Sequence, residues 1–158
     1  MIYDKDTNIV HLSPWLEDCF PIFYKRFTSL LGEHVISYKI LPHTNDLWCR
    51  DYMPIQIEEN TFVQYQYMPD YLLRKESNVK YLTDSRKVCE ALGYKCKRTN
   101  IVLDGGNIVK VGNCVIMTEK VFCENPNYKR DELISELEEL LKLEIVLITS
   151  DLIFPKYW

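Results

Sequence analysis

The chain has 158 residues, 47% of them hydrophobic and 13% aromatic, with a formal net charge of −4; this is one ordinary domain over residues 1–158, long enough for its own core and too apolar to be disordered. The acidic balance argues against nucleic acid, whose phosphates need a basic face, and no segment approaches the ~18 apolar residues of a membrane span. Met1-Ile-Tyr-Asp-Lys-Asp carries no leader pattern, and six cysteines (Cys19, Cys49, Cys89, Cys96, Cys114, Cys123) show no CxxC spacing, so a cytoplasmic protein with buried free thiols and no cofactor or metal is expected.

In chain order, Ser13-Pro14-Trp15-Leu16-Glu17 opens a helix, with serine as cap and proline in the first turn. Helical spacing continues through Phe23, Phe27, Leu30 and Leu31 and stops at Gly32, while Pro21 demands either a kink or two short helices. His34 to Ile40 reads as a strand. A β-hairpin is expected after Asp51. Asp84 to Gly93 reads as a short helix with a glycine cap, followed by the strand-like Tyr94-Lys-Cys-Lys97. A second hairpin follows Asp104. Arg130 to Lys142 is a third helix, with Leu133, Ile134, Leu137, Leu140 and Leu141 on one face and a solvated glutamate-rich face opposite. It leads into a strand from Leu143 to Ile148.

The two hairpin segments are written alike. Laid over each other at an offset of 53 residues, Asp51 meets Asp104, Ile55 meets Ile108, Asn60 meets Asn113, and Phe62-Val63 meets Val115-Ile116. The junctions Leu31-Gly32-Glu-His-Val35, Leu92-Gly93-Tyr-Lys-Cys96 and Leu141-Lys142-Leu-Glu-Ile145 also align. A repeat of this kind reuses one supersecondary unit and brings equivalent positions together around an axis. The expected architecture is α/β, from repeated strand–hairpin–helix units, with three helix-to-strand junctions but two aspartate hairpins.

Chemistry concentrates at the two aspartates. In Asn45-Asp46-Leu47-Trp48-Cys49-Arg50-Asp51, strand alternation puts Asp51 on a face with Cys49, and Trp48 with Arg50 on the other. Asp104 is followed by Gly105-Gly106-Asn107, a pair without side chains that lets backbone bend sharply or a ligand lie close. Two carboxylates brought together can accept the fork of N–H donors of a planar guanidinium, with Trp48 as an apolar or cation–π wall. The simpler alternatives are turn-forming or capping aspartates, an Arg50–Asp46 ion pair, and Trp48 in the wall of the core. Cys49 is a tempting nucleophile, but a neighbouring carboxylate raises a thiol pKa. His43 near the motif, and His11 and His34 further off, have weaker claims to a catalytic role.

Thr44-Asn-Asp-Leu-Trp48-Cys-Arg50-Asp51-Tyr-Met-Pro54 resembles the W-x-R-D-x-x-P signature of agmatine deiminases and the bacterial, porphyromonad-type peptidylarginine deiminases. Asp104-Gly-Gly-Asn107 resembles their acidic-Gly-Gly-Asn motif, with Asp where Glu is commoner, and Thr118-Glu119 with Asn125-Pro126-Asn127 is similar to the stretch after it. The likeness runs from about Trp15 to Ile148. It implies a pentein-type α/β-propeller, here about half of a five-fold ring of ββαβ units. It further implies hydrolysis of a guanidinium to a ureido group and ammonia by a cysteine thiolate and a histidine, serving putrescine formation in the agmatine case. Asp51 and Asp104 match the guanidinium-holding carboxylates; Trp48, Arg50, Gly105, Gly106 and Asn107 match motif positions that line or support the substrate.

One departure stands beside the match. The family histidine lies in an H-x-D context in the third unit and its cysteine near the end of a chain about twice as long; this sequence has no H-x-D, and after Ile148 it runs Thr-Ser-Asp-Leu-Ile-Phe-Pro-Lys-Tyr-Trp158. The expectation is therefore an N-terminal, truncated portion that binds a guanidinium small molecule but is inactive alone, or a non-catalytic cation-binding module derived from that family. An open ring edge also predicts homo-oligomerisation.

Overall fold

Pro21 divides the first helical segment. Proline lacks a backbone N–H and is best placed at the first position of a helix, so α1 (Trp15–Cys19) ends and α2 (Pro21–Glu33) begins across Phe20. In the computed structural model, which describes residues 1–149, α2 carries the chain from β1 (Val10–Leu12) to a parallel partner, β2 (Tyr38–Ile40). Gly32 does not stop the helix, which runs one residue further. The strand expected from His34 also shrinks, because Val35 adopts φ 56, a left-handed conformation no strand contains.

Two larger units follow, and they share one topology. In the first, α3 (Cys49–Tyr52) leads into the antiparallel hairpin β3 (Ile55–Glu58) and β4 (Thr61–Gln66). The chain then crosses over through α4 (Asp70–Leu73), a 3-10 turn (Glu76–Tyr81) and α5 (Ser85–Leu92), and returns as β5 (Cys96–Val102) parallel to β4. In the second, a 3-10 turn (Gly105–Asn107) leads into β6 (Val109–Val111) and β7 (Cys114–Thr118), then α6 (Lys120–Glu124), α7 (Arg130–Leu141) and β8 (Glu144–Ile148) parallel to β7. The sheet orders are β3-β4-β5 and β6-β7-β8.

At the parallel pairs the repeat holds to the residue, while the hairpin register of the second unit is displaced by one at Val109. Phe62 pairs with Cys96 and Val115 with Ile145, the same residues that the 53-residue overlay and the aligned helix-to-strand junctions make equivalent. The unit β1–α2–β2 repeats the crossover and the parallel pair, without a hairpin strand beside β1 among the described residues.

Local chemistry sets the helix ends. The Asp84 carboxylate accepts the Arg86 and Lys87 N–H groups at 3.0 and 3.3 Å, and Gly93 closes α5 at φ 68, as a left-handed C-cap requires. Lys142 plays that part for α7 at φ 58. Leu133, Leu137 and Leu141, one face of α7, are fully buried against Ile101, Leu103, Val115 and Met117 in a single core. Among the described residues, no helix is long and apolar enough to cross a membrane. All six cysteines are free, but only Cys89 is buried; Cys19 and Cys123 are exposed on short helices, contrary to expectation. Residues 150–158, with the Phe154-Pro-Lys-Tyr-Trp158 passage, lie outside the described residues.

Candidate functional site

Asp51 lies in a helical turn, not in a strand. Pro54 forces Met53 into extended backbone (φ −71, ψ 143), so α3 is a single turn and the hairpin starts only at Ile55. The strand alternation predicted for Trp48 to Asp51 therefore fails. Trp48 instead sits one turn before Asp51, whose N–H donates to the Trp48 carbonyl at 2.9 Å. Asp104 is likewise followed by a turn rather than by the hairpin itself.

These two turns touch. Gly106 N–H donates to Asp51 Oδ1 at 2.9 Å, and Arg50 Nη2 donates to the Ile108 carbonyl at 2.9 Å. A Cβ on Gly105 would stand 1.9 Å from the Arg50 carbonyl oxygen and 2.9 Å from the Tyr65 hydroxyl; one on Gly106 would stand 2.5 Å from Asp51 Oδ1. The glycine pair is thus needed for close approach between the motifs. Tyr65, fully buried on β4, places its hydroxyl 2.6 Å from the Asp51 carbonyl and 3.0 Å from that of Met53.

The Asp51 carboxyl feels the charge of Asp104. Burial pushes the Asp51 carboxyl pKa up, the Asp104 charge pushes it further, and the Gly106 N–H opposes both. The Asp104 side chain is 13% exposed. Its Oδ1 is sealed from solvent without a partner, and its Oδ2 is ion-paired to Lys120 Nζ. Lys120, at the start of α6, also lies 2.7 Å from Glu124 Oε1 one turn on. The one ammonium thus bridges the two carboxylates, and Glu124 Oε2, sealed from solvent, has no partner of its own. Burial pushes Glu124 up to about 7, with Lys120 opposing and Asp104 reinforcing. Burial lowers the Lys120 pKa, but the two carboxylates outweigh it and the net shift is upward.

Other motif residues support rather than face a ligand. Asn107 Oδ1 accepts the Thr118 N–H at 2.9 Å and its hydroxyl at 2.8 Å, fastening the glycine turn to β7. Asn125, buried, brackets Val102 through its N–H and carbonyl, both at 2.8 Å, and donates to the Val121 carbonyl at 2.8 Å. It fixes the end of β5 two residues before Asp104. Trp48 is 63% exposed, so it does not line the core and stands open beside α3.

No thiol or imidazole completes a catalytic set among the described residues. Burial pushes the Cys49 thiol up, with the Tyr52 hydroxyl 3.4 Å from its sulfur. Cys96, whose thiol is lowered by its Cys89 neighbour, lies at the far end of β5 from Asp104. His11 Nε2 meets the Tyr94 hydroxyl at 2.9 Å, His34 and His43 are exposed, and none contacts Asp51 or Asp104. A cavity of about 950 Å³ meets the motif turns at Cys49, Arg50 and Gly105 but is not lined by either acid or by Trp48. No cluster of metal-ligating side chains occurs among the described residues.

Sequence reasoning missed Tyr65, Lys120, Glu124 and the role of Asn125. Lys120 and Glu124 did carry a signal: an i, i+4 pair of opposite charge directly after Thr118-Glu119.

The same arrangement of units occurs in solved guanidine-modifying enzymes. Agmatine deiminase of C. jejuni superposes with a TM-score of 0.63 at 17% identity, over 90% of this chain and 52% of that one. Agmatine deiminase of Enterococcus faecalis gives 0.52 at 21%, over 89% and 40%, and a dimethylarginine hydrolase (DDAH) of Pseudomonas aeruginosa gives 0.50 at 14%, over 80% and 48%. The chain thus spans about half the length of these structures, and at identities this low the likeness establishes the fold alone. No curated protein matches the sequence. A family model described as Porphyromonas-type peptidyl-arginine deiminase matches residues 22–153. That stretch holds both contacting aspartate turns and all but the start of the repeat, and by it the chain belongs to the Porphyromonas-type peptidyl-arginine deiminase family.

Proposed function

We propose that this chain forms the carboxylate side of a guanidine-deiminase centre, in which Asp51 and Asp104 hold a guanidinium for hydrolysis to a ureido group and ammonia. The observation that carries it is the 2.9 Å bond from Gly106 N–H to Asp51 Oδ1, which joins the turn that holds Asp51 to the turn that follows Asp104. Two carboxylates so placed offer in-plane acceptors to the planar fork of guanidinium donors. Exposed Trp48 lines the approach, Gly105 and Gly106 permit the close packing, and Arg50 and Asn107 support it. A C. jejuni agmatine deiminase is solved with its substrate bound; agmatine, free arginine and an arginine peptide are the ligands to compare. The units are read as part of a propeller of repeated ββαβ elements.

Attack on the guanidinium carbon needs a thiolate and an acid–base group. With Cys49 raised and His11 bonded to Tyr94, the 158-residue chain is proposed to bind without turning over. Calorimetric binding of agmatine, lost in both D51N and D104N, together with no ureido product, is the expected result. Binding unchanged in D51N and D104N would overturn the assignment, and ureido formation by the isolated chain would overturn the lack of turnover. A second reading, an oligomerising module, is favoured by the apolar side chains left open on α2 and β6, including Ile22 at 87% and Val109 at 47% exposure.

A further inference from the structure

Resting on the guanidinium assignment above, we infer that Lys120 is a built-in competitor cation, which must leave Asp104 and transfer wholly to Glu124 before a guanidinium can bind. Asp104 has two oxygens and neither is open. Oδ1 is sealed from solvent without a partner, and Oδ2 is held by the Lys120 ammonium. An incoming N–H donor therefore reaches Asp104 only by displacing Nζ.

Glu124 gives the displaced ammonium a seat. Its side chain is only 6% exposed, it lies one helical turn from Lys120 with Oε1 already 2.7 Å from Nζ, and its Oε2 is sealed from solvent with no partner. A buried carboxylate short of donors is costly, and undivided pairing with Lys120 relieves that cost. Letting go of Asp104 lets Nζ turn toward Glu124 by side-chain rotation alone, with α6 fixed by the Asn125 bond to Val121.

The exchange preserves charge. Before binding, one ammonium is shared by Asp104 and Glu124; afterwards the guanidinium pairs with Asp51 and Asp104, and the ammonium pairs with Glu124. The site is thereby selective for a planar, multidentate cation: a simple ammonium ligand offers Asp104 nothing that Lys120 does not already supply, whereas a guanidinium engages two carboxylates at once.

The test is calorimetric titration of agmatine, with butylamine as the simple ammonium control, into the 158-residue wild type, K120M and K120M/E124Q, with D51N in each background. K120M/E124Q removes the ammonium and its buried partner together, so it keeps the fold where K120M alone destabilises it. The expected result is agmatine binding at least ten-fold tighter in K120M/E124Q than in wild type, abolished by D51N, with butylamine gaining affinity in the same variant. Equal or weaker agmatine binding in the double variant, with wild-type binding still dependent on Asp51, overturns the competitor role and leaves the guanidinium assignment standing. Absence of agmatine binding from every protein, or binding indifferent to D51N, overturns both.

Discussion

Gly105 and Gly93 both occupy turns, yet for different physical reasons, and substitution separates them. Gly93 needs its left-handed backbone (φ 68) but has open space where a side chain would go, so G93A carries only the conformational cost, about 1 kcal/mol. Gly105 is excluded by contact, since a methyl would lie 1.9 Å from the Arg50 backbone oxygen and neither chain can yield without parting the two acid turns. G105A is expected to lose about 3 kcal/mol or more, read as a fall in the urea midpoint, together with agmatine binding. Glu124 supports a pH prediction. Its folded pKa of about 7 lies above the ordinary 4.5, held there by burial and by the nearby Asp104 and Asp70 charges against Lys120. A raised pKa means the folded state keeps its proton longer. Stability from this group is fully present below pH 4.5 and is lost as pH rises through 7. E124Q stays neutral throughout, so its stability relative to wild type should climb between those limits and then level off, by about 3 kcal/mol in total. Thermal melts of both proteins from pH 4 to 8 check it, and a flat difference would show that the carboxyl ionises as freely folded as unfolded.

Among the elements, α5 shows what sequence can show. Asp84 and Gly93 name its start and end, because each acts within one turn of itself. D84A removes the acceptor for the Arg86 and Lys87 N–H groups and should cost about 1 kcal/mol, measured by chemical denaturation. The hairpin overlay was legible for the same reason: the equivalence of Cys96 with Ile145 depends on spacing, and both pair with the strand position it specified. What escaped depends on other parts of the chain or on one backbone angle. Val35 at φ 56 shortens β2, and nothing about valine announces a left-handed residue. The turn at Asp51 escaped because its boundary is set three residues on, where Pro54 holds Met53 extended and ends α3 after one turn. Lys120 was invisible as part of the site because its partner Asp104 lies 16 residues away, across a hairpin whose packing only the fold supplies. N125L, which loses three hydrogen bonds at the junction of β5 and α6, one of them buried, should be more damaging than D84A because the stranded backbone groups stay largely shielded from water.

At the scale of the molecule, the distribution of apolar surface is uneven. The middle unit is covered on both sides, with Ile57, Val63, Tyr65 and Ile101 buried. The outer two are not. α2 buries Leu31 alone while Ile22, Phe23 and Leu30 face solvent, every residue of β2 is exposed, and Val109, Val111, Val146 and Leu147 lie open on the other outer sheet. Among the described residues, β1 has no hairpin strand beside it where β4 and β7 each have one. Open edges and contiguous apolar faces at two ends of a repeat favour end-to-end association, since each copy presents one face to the other's opposite end. The 158-residue chain is therefore expected to self-associate, with sedimentation velocity giving a weight-average mass that rises with concentration. Charges introduced at the two ends separately, I22E with F23E on α2 and V109K with V111K on β6, should each return it to monomer, and the two variants mixed should associate again, because each retains one intact face for the other's opposite end. Failure to recover association on mixing would overturn the head-to-tail contact. A wild-type chain that sediments as a monomer at high concentration would mean that neither face is sticky enough to recruit a second copy.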